Sequence, residues 1–112
     1  MKKGKYEIRL AKDAIKYLKR HNLDIDTFCD SVFAASIKSK RKIKIPLVGF
    51  NSLKGVEIEI YTIRIDFKTR AICSYDWDEI HETNLLNVYC VCSRDDLPKC
   101  IRSVSDQIRS DF

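Results

Sequence analysis

Tyr6, Ile8 and Leu10 occupy every second position of the stretch KYEIRL, with Lys5, Glu7 and Arg9 between them. A period of two is the pattern of a strand with one buried face. The period then lengthens. Ala11, Ala14, Ile15 and Leu18 make an apolar stripe for a short helix, whose other side carries Lys12, Lys16, Lys19 and Arg20. This helix is expected to end near His21 and Asn22. Asp24 is a good N-cap for a second helix, with Ile25, Phe28, Cys29, Val32, Phe33 and Ser36 on its inner side and Ile37 extending the stripe. Phe28 and Phe33 are both expected in the core. Two helices with so short a link pack as an antiparallel hairpin.

In KIKIPLVGFNSLKG, Pro46 and Gly49 interrupt any regular element, and the segment reads as an edge piece and a loop. VEIEIYTIRID puts Val56, Ile58 and Ile60 on one parity and Tyr61, Ile63 and Ile65 on the other. Such a slip predicts a bulge near Ile60 and Tyr61 that turns Thr62, Arg64 and Asp66 to an open face. RAICSYDWD is the next strand, and FKT is short enough to make it an antiparallel hairpin partner. After the acidic loop DWDEIHETN, the run NLLNVYCVCS is nearly all apolar, as suits a strand buried on both faces. Asp96 is placed to cap a last helix that has Leu97 and Pro98 in its first turn and Ile101, Val104 and Ile108 on one side. The resulting order is β-α-α-β-β-β-α, an α+β domain over residues 1–112.

A chain of 112 residues with 45% hydrophobic and 33% charged residues, and only 3 Gly and 2 Pro, has the composition of one globular domain rather than a disordered segment. Its charge is uneven. Residues 1–44 carry net +8 and residues 45–112 net −3, with KYLKRH and IKSKRKIK supplying most of the excess. Clustered cations favour a polyanion such as nucleic acid, through phosphate neutralisation and counterion release, although solvated helix faces show the same pattern. On this basis Lys16, Lys19, Arg20, Lys38, Lys40, Arg41, Lys42 and Lys44 are candidates for RNA contact; Lys54, outside that stretch, is a further candidate. The basic N-terminus is not followed by an apolar run of signal or membrane length, so a cytoplasmic location without membrane association is expected. The five cysteines contain no CxxC pair. Cys90 and Cys92, two apart on one strand, share a face and are poorly placed for one tetrahedral zinc without a turn. No metal and no cofactor is expected, and the thiols read as small buried hydrophobes.

Several segments resemble the RelE/ParE/HigB superfamily of bacterial toxins from type II toxin-antitoxin systems. KYEIRLAKDAIKYLKR is similar to the family's first strand running into a helix. Residues 53–73, with LKG, then YTIRID, then KTRAIC, are similar to its middle signature, and VYCVCSRDD to its last strand ending in an arginine. The resemblance covers most of the chain. It implies a RelE-like fold: an antiparallel sheet of about four strands, two N-terminal helices on one face and a C-terminal helix. It also implies a metal-independent endoribonuclease that cuts mRNA, usually on the ribosome, and is neutralised by a cognate antitoxin.

In such enzymes the 2′-hydroxyl attacks the neighbouring phosphate, and the protein stabilises a crowded phosphorane. Arginine suits this task because its planar fork donates two bonds to phosphate oxygens and stays charged at any working pH. By resemblance, Arg64, Arg70 and Arg94 fall where the family carries basic residues, with Lys68 and Lys54 beside them. Two positions depart from the pattern: Thr62 stands where a second basic residue is common, and Cys100 where some members have a tyrosine. A proton must still leave the 2′-hydroxyl and another reach the leaving oxygen, and Lys68 is the candidate that remains. Tyr75 and Trp77 are aromatic residues of the kind that stack on bases or line a core rim. The alternatives are a non-catalytic member of the fold that binds a protein target such as gyrase, as the ParE branch does, and a nucleic-acid-binding domain.

Overall fold

The computed structural model describes residues 2–3, 6–37, 42–45 and 60–110, with side chains for 6–37 and 60–108. The elements in chain order are β1 (Lys2–Lys3), β2 (Tyr6–Leu10), α1 (Lys12–Arg20), α2 (Ile25–Ser36), β3 (Lys42–Ile45), β4 (Ile60–Arg64), β5 (Thr69–Asp78) and β6 (Thr83–Ser93). A 3₁₀ turn (Arg94–Asp96) then leads into α3 (Leu97–Ser110). The fold is α+β: among the described residues, one mixed sheet of order β1-β2-β6-β5-β4-β3 with three α-helices. Its body is β2, β6, β5 and β4, and the short strands β1 and β3 extend the two edges. The segment expected as an edge piece thus contributes Lys42–Ile45 to the sheet, paired antiparallel with β4.

The expected all-antiparallel sheet needs correction. β2 runs parallel to β6, from Tyr6 beside Asn84 to Leu10 beside Val88. Alternation within KYEIRL specifies a half-buried strand but neither its partner nor its direction, since a parallel pair needs only a long crossover, which α1, α2 and three strands provide.

Both broad faces of the sheet carry a core. On one, Ile8, Ile63, Ala71, Cys73, Leu86, Val88 and Val91 pack with Ala14 and Leu18 of α1 and with Phe28, Cys29, Val32 and Ala35 of α2. On the other, Ile60 and Ile72 pack with Val104 and Ile108 of α3. This explains the parity slip without a bulge. Among the described residues, the register is unbroken from Ile60 to Ile63 against β3 and from Ile60 to Arg64 against β5. Ile60 belongs to one core and Ile63 to the other, so a strand clothed on both faces can change apolar parity at no structural cost. For the same reason Thr62 is buried, at 6% exposure, rather than on an open face. The irregularity lies instead at Ile72 and Cys73, which pair with Cys90 and Val88 and leave Tyr89 as the extra residue.

The helix link is as compact as expected. Asn22 sits at φ 54, a left-handed position that Asn tolerates, and it closes α1 with bonds from Asn22 N–H to Lys19 O and from Leu23 N–H to Leu18 O. Asp24 then caps α2 by accepting from the Thr27 N–H at 2.9 Å. Two core expectations do not hold. Phe33 is only half buried, packing edge-on to Tyr6 with ring centroids 5.4 Å apart. Ile37 is 63% exposed, because α2 ends at Ser36 before the stripe reaches it.

Candidate functional site

The site is assembled at the turn between β4 and β5. Asp66 organises this turn: its Oδ1 accepts from the Lys68 N–H and the Thr69 N–H, both at 2.8 Å. Burial pushes the Asp66 carboxyl upward, but these N–H groups, the Thr69 hydroxyl and the nearby Arg70 charge outweigh it and hold the pKa below the usual carboxylate value. The turn's outward carbonyls are held in place as well. Arg70 Nη1 donates to Asp66 O at 2.7 Å, to Thr69 O at 3.2 Å and to Phe67 O at 3.4 Å. Arg94 N–H donates to Lys68 O at 2.7 Å, tying the end of β6 to the same turn.

This backbone arrangement gathers the predicted cations. Arg64 and Arg70 are register partners across β4 and β5, so their side chains leave the same face. The Arg94 guanidinium carbon lies 5.1 Å from the centre of the Phe67 ring, within the range of a cation–π contact. Phe67, Lys68, Ser93, Arg94 and Asp95 line an open pocket of about 240 Å³. Arg94 Nε and Asp95 Oδ1 are 3.9 Å apart, a long and solvated pair that leaves most of the guanidinium fork free. Arg64 is exposed, and neither it nor Lys68 makes a side-chain bond among the described residues. Among the described residues the three side-chain bonds of Arg70 all use Nη1, and none of them engages Nε or Nη2.

Of the wider set, Lys16, Lys19 and Arg20 lie on the exposed side of α1 and do not line the pocket. Lys42 and Lys44 belong to β3, and Lys38, Lys40, Arg41 and Lys54 lie outside the described residues. Tyr75 is unsuited to stacking: it is half buried, edge-on to Tyr61 at 5.2 Å, and burial pushes its hydroxyl up to about 12. Trp77 is 54% exposed near the far end of β5, well away from the pocket. Three pocket residues, Phe67, Ser93 and Asp95, were not among the candidates drawn from the sequence. An apolar ring in a polar turn, DFKT, was the available signal for Phe67, which is 63% exposed.

A second cluster lies on the face that α3 covers. Cys90, Cys92 and Cys100 bring three sulfurs within 4.8 Å of one another. Cys90 is drawn down to about 7 by hydrogen bonding from Cys92, which outweighs burial, while burial pushes Cys100 up to about 11. The strand alone offers two thiols on one face, and the helix supplies the third. No described helix is long and apolar enough to cross a membrane. Compared with known proteins, the chain matches no family model, and no curated protein or solved structure shows significant similarity to it.

Proposed function

We propose that this protein is a RelE-like toxin of a type II toxin-antitoxin system, an endoribonuclease that cleaves mRNA at the pocket between the β4–β5 turn and the end of β6. One observation carries the reading: Lys68 and Arg94 share a pocket with an exposed aromatic ring, Phe67, while Arg64 and Arg70 stand side by side at the adjoining strand ends. Aromatic faces with interleaved cations are the general means of holding single-stranded RNA, the ring taking a base and the cations the phosphates.

The chemistry follows from the same groups. Attack of a ribose 2′-oxygen on the adjacent phosphorus forms one P–O bond and breaks the bond to the 5′-oxygen, leaving a 2′,3′-cyclic phosphate and a free 5′-hydroxyl. Negative charge accumulates on the equatorial oxygens of the phosphorane, where the forks of Arg94 and Arg70 donate. Asp95, in the pocket beside Arg94, is the carboxylate that can accept the 2′-hydroxyl proton, and Lys68 the ammonium that can return one to the leaving oxygen. This pairing offers a solution to the missing tyrosine at Cys100. Ribosome-bound message as substrate and neutralisation by a cognate antitoxin follow from the family resemblance and belong to the same proposal.

The test is expression under tight control with growth and RNA integrity followed together, and incubation of the purified protein with RNA, with and without ribosomes, in EDTA. Growth arrest with cleavage products ending in a 2′,3′-cyclic phosphate is expected. Arrest with intact RNA under both conditions would replace the ribonuclease by a toxin that binds a protein target. Salt-dependent RNA binding without arrest or cleavage would leave a nucleic-acid-binding domain.

A further inference from the structure

We propose that Cys90, Cys92 and Cys100 form a binding site for one thiophilic d¹⁰ metal ion, Zn(II) or Cu(I), which staples α3 to β6. The inference is independent of the RNA reading. Cys100, Val104 and Ile108 are spaced four apart on α3, and the last two are buried against Ile60 and Ile72. The Cys100 thiol is therefore carried on the sheet-facing stripe of the helix. Ile72 pairs with Cys90 and Arg70 with Cys92, so both strand thiols lie on the face the helix covers. Helix stripe and strand parity thus aim three sulfurs at one point, all within 4.8 Å of each other. A Zn–S bond of about 2.3 Å requires sulfurs roughly 3.8 Å apart, which small rotamer adjustments would reach. An all-sulfur donor set selects soft ions over Mg(II) or Ca(II).

Among the described residues no fourth His, Cys, Asp or Glu joins the cluster. Three thiolates satisfy Cu(I) in trigonal coordination, whereas Zn(II) would take a solvent molecule as its fourth ligand. Binding replaces S–H bonds by S–metal bonds and releases the thiol protons to solvent. Cys92 and Cys100 enclose Arg94 and the 3₁₀ turn between them. An ion held by both would close that short loop and restrict the arginine's position.

The experiment uses the full chain, reduced and stripped of metal. Co(II), Zn(II) and, without oxygen, Cu(I) are titrated separately; Co(II) spectra read thiolate ligation, and a chromophoric chelator in competition reads affinity. One ion per chain is expected, with a rise in Tm of about 5 °C or more at saturation. Replacing any one of the three cysteines by serine should weaken binding at least about 100-fold, since losing even an outer partner of a ligand costs about 10–100-fold. Cys29→Ala, in the opposite core, should bind as the wild type does. Tight binding of Zn(II) alone or of Cu(I) alone supports the site and identifies its ion. Where a serine variant does not fold, alkylation of the wild type followed by mass spectrometry decides. The ion should shield Cys90, Cys92 and Cys100 together. Absence of stoichiometric binding by both ions, or binding that Cys100→Ser leaves intact with no shielding of that thiol, overturns the proposal.

Discussion

Ala71 and Cys73 of β5 project into the core shared with α1 and α2, whereas Arg70, Ile72, Ser74 and Asp76 of the same strand project to the side covered by α3. The first face is almost wholly apolar and takes two helices. The second has a small apolar centre, Ile60 and Ile72 with Val104 and Ile108, surrounded by groups with chemistry. Arg64 and Arg70 lie at one end and three thiols beside them. Toward the other end Ser74 Oγ and Tyr89 OH are 2.9 Å apart, and Asn87 Nδ2 donates to Asp76 Oδ2 at 3.1 Å. A sheet that secures most of its burial on one face leaves the other free to carry polar groups, which one helix can cover without closing the cationic end.

The comparison would break soonest on stability. Phe28→Ala, in the two-helix core, is expected to cost about 3–5 kcal/mol in urea unfolding, and Phe33→Ala, half buried at its margin, only about 1–2 kcal/mol. Equal losses would mean that the margin is as much core as the centre. The next largest effect is on chemistry. Arg94→Ala should slow RNA cleavage by about 10², near 2.7 kcal/mol, while shifting the unfolding midpoint hardly at all. Arg94→Lys should recover part of that rate, because a point charge lacks the bidentate fork; full recovery would argue against phosphorane contact.

Smaller still is the polar network of the α3 face. Tyr89→Phe removes the bond to Ser74 and should cost about 1 kcal/mol by unfolding, with cleavage unchanged. The smallest effect concerns pH. Because the Asp66 carboxyl is held below its ordinary value in the folded chain, it contributes stability that is fully present above the unfolded value of about 4 and is lost as pH falls through the folded one. Thermal unfolding of Asp66→Asn should therefore show a shallower loss below about pH 5 than the wild type. A parallel profile would assign the acid sensitivity to the capped Asp24 or to Asp78, which the His81 side chain holds low.

Much of this arrangement was legible. The strand at Tyr6–Leu10, both N-terminal helices, the Asp24 cap and the β4–β5 hairpin follow from local periodicity and capping chemistry, which act over a few residues. The cations at the site were legible as residues, and their gathering depended on a hairpin whose short turn forces Arg64 and Arg70 into register. Phe67 beneath Arg94 was not legible, since the two are brought together by the Arg94 N–H bond to Lys68 O, a contact between the turn and a strand that ends 25 residues later.

The sequence by itself determined the elements and the alternation that assigns each side chain to a face, because φ/ψ preference, capping and amphipathic period are local properties of the chain. Only the tertiary structure decided which faces are covered. That α3 lies over the second face turned an apparent bulge at Ile60 into an ordinary strand and buried Thr62. The tertiary structure likewise set β2 parallel to β6, and the placement of α3 carried Cys100 onto Cys90 and Cys92. Each of these outcomes depends on which distant surface meets which. That is settled by burying apolar area from the whole chain at once, a sum no single window of residues contains.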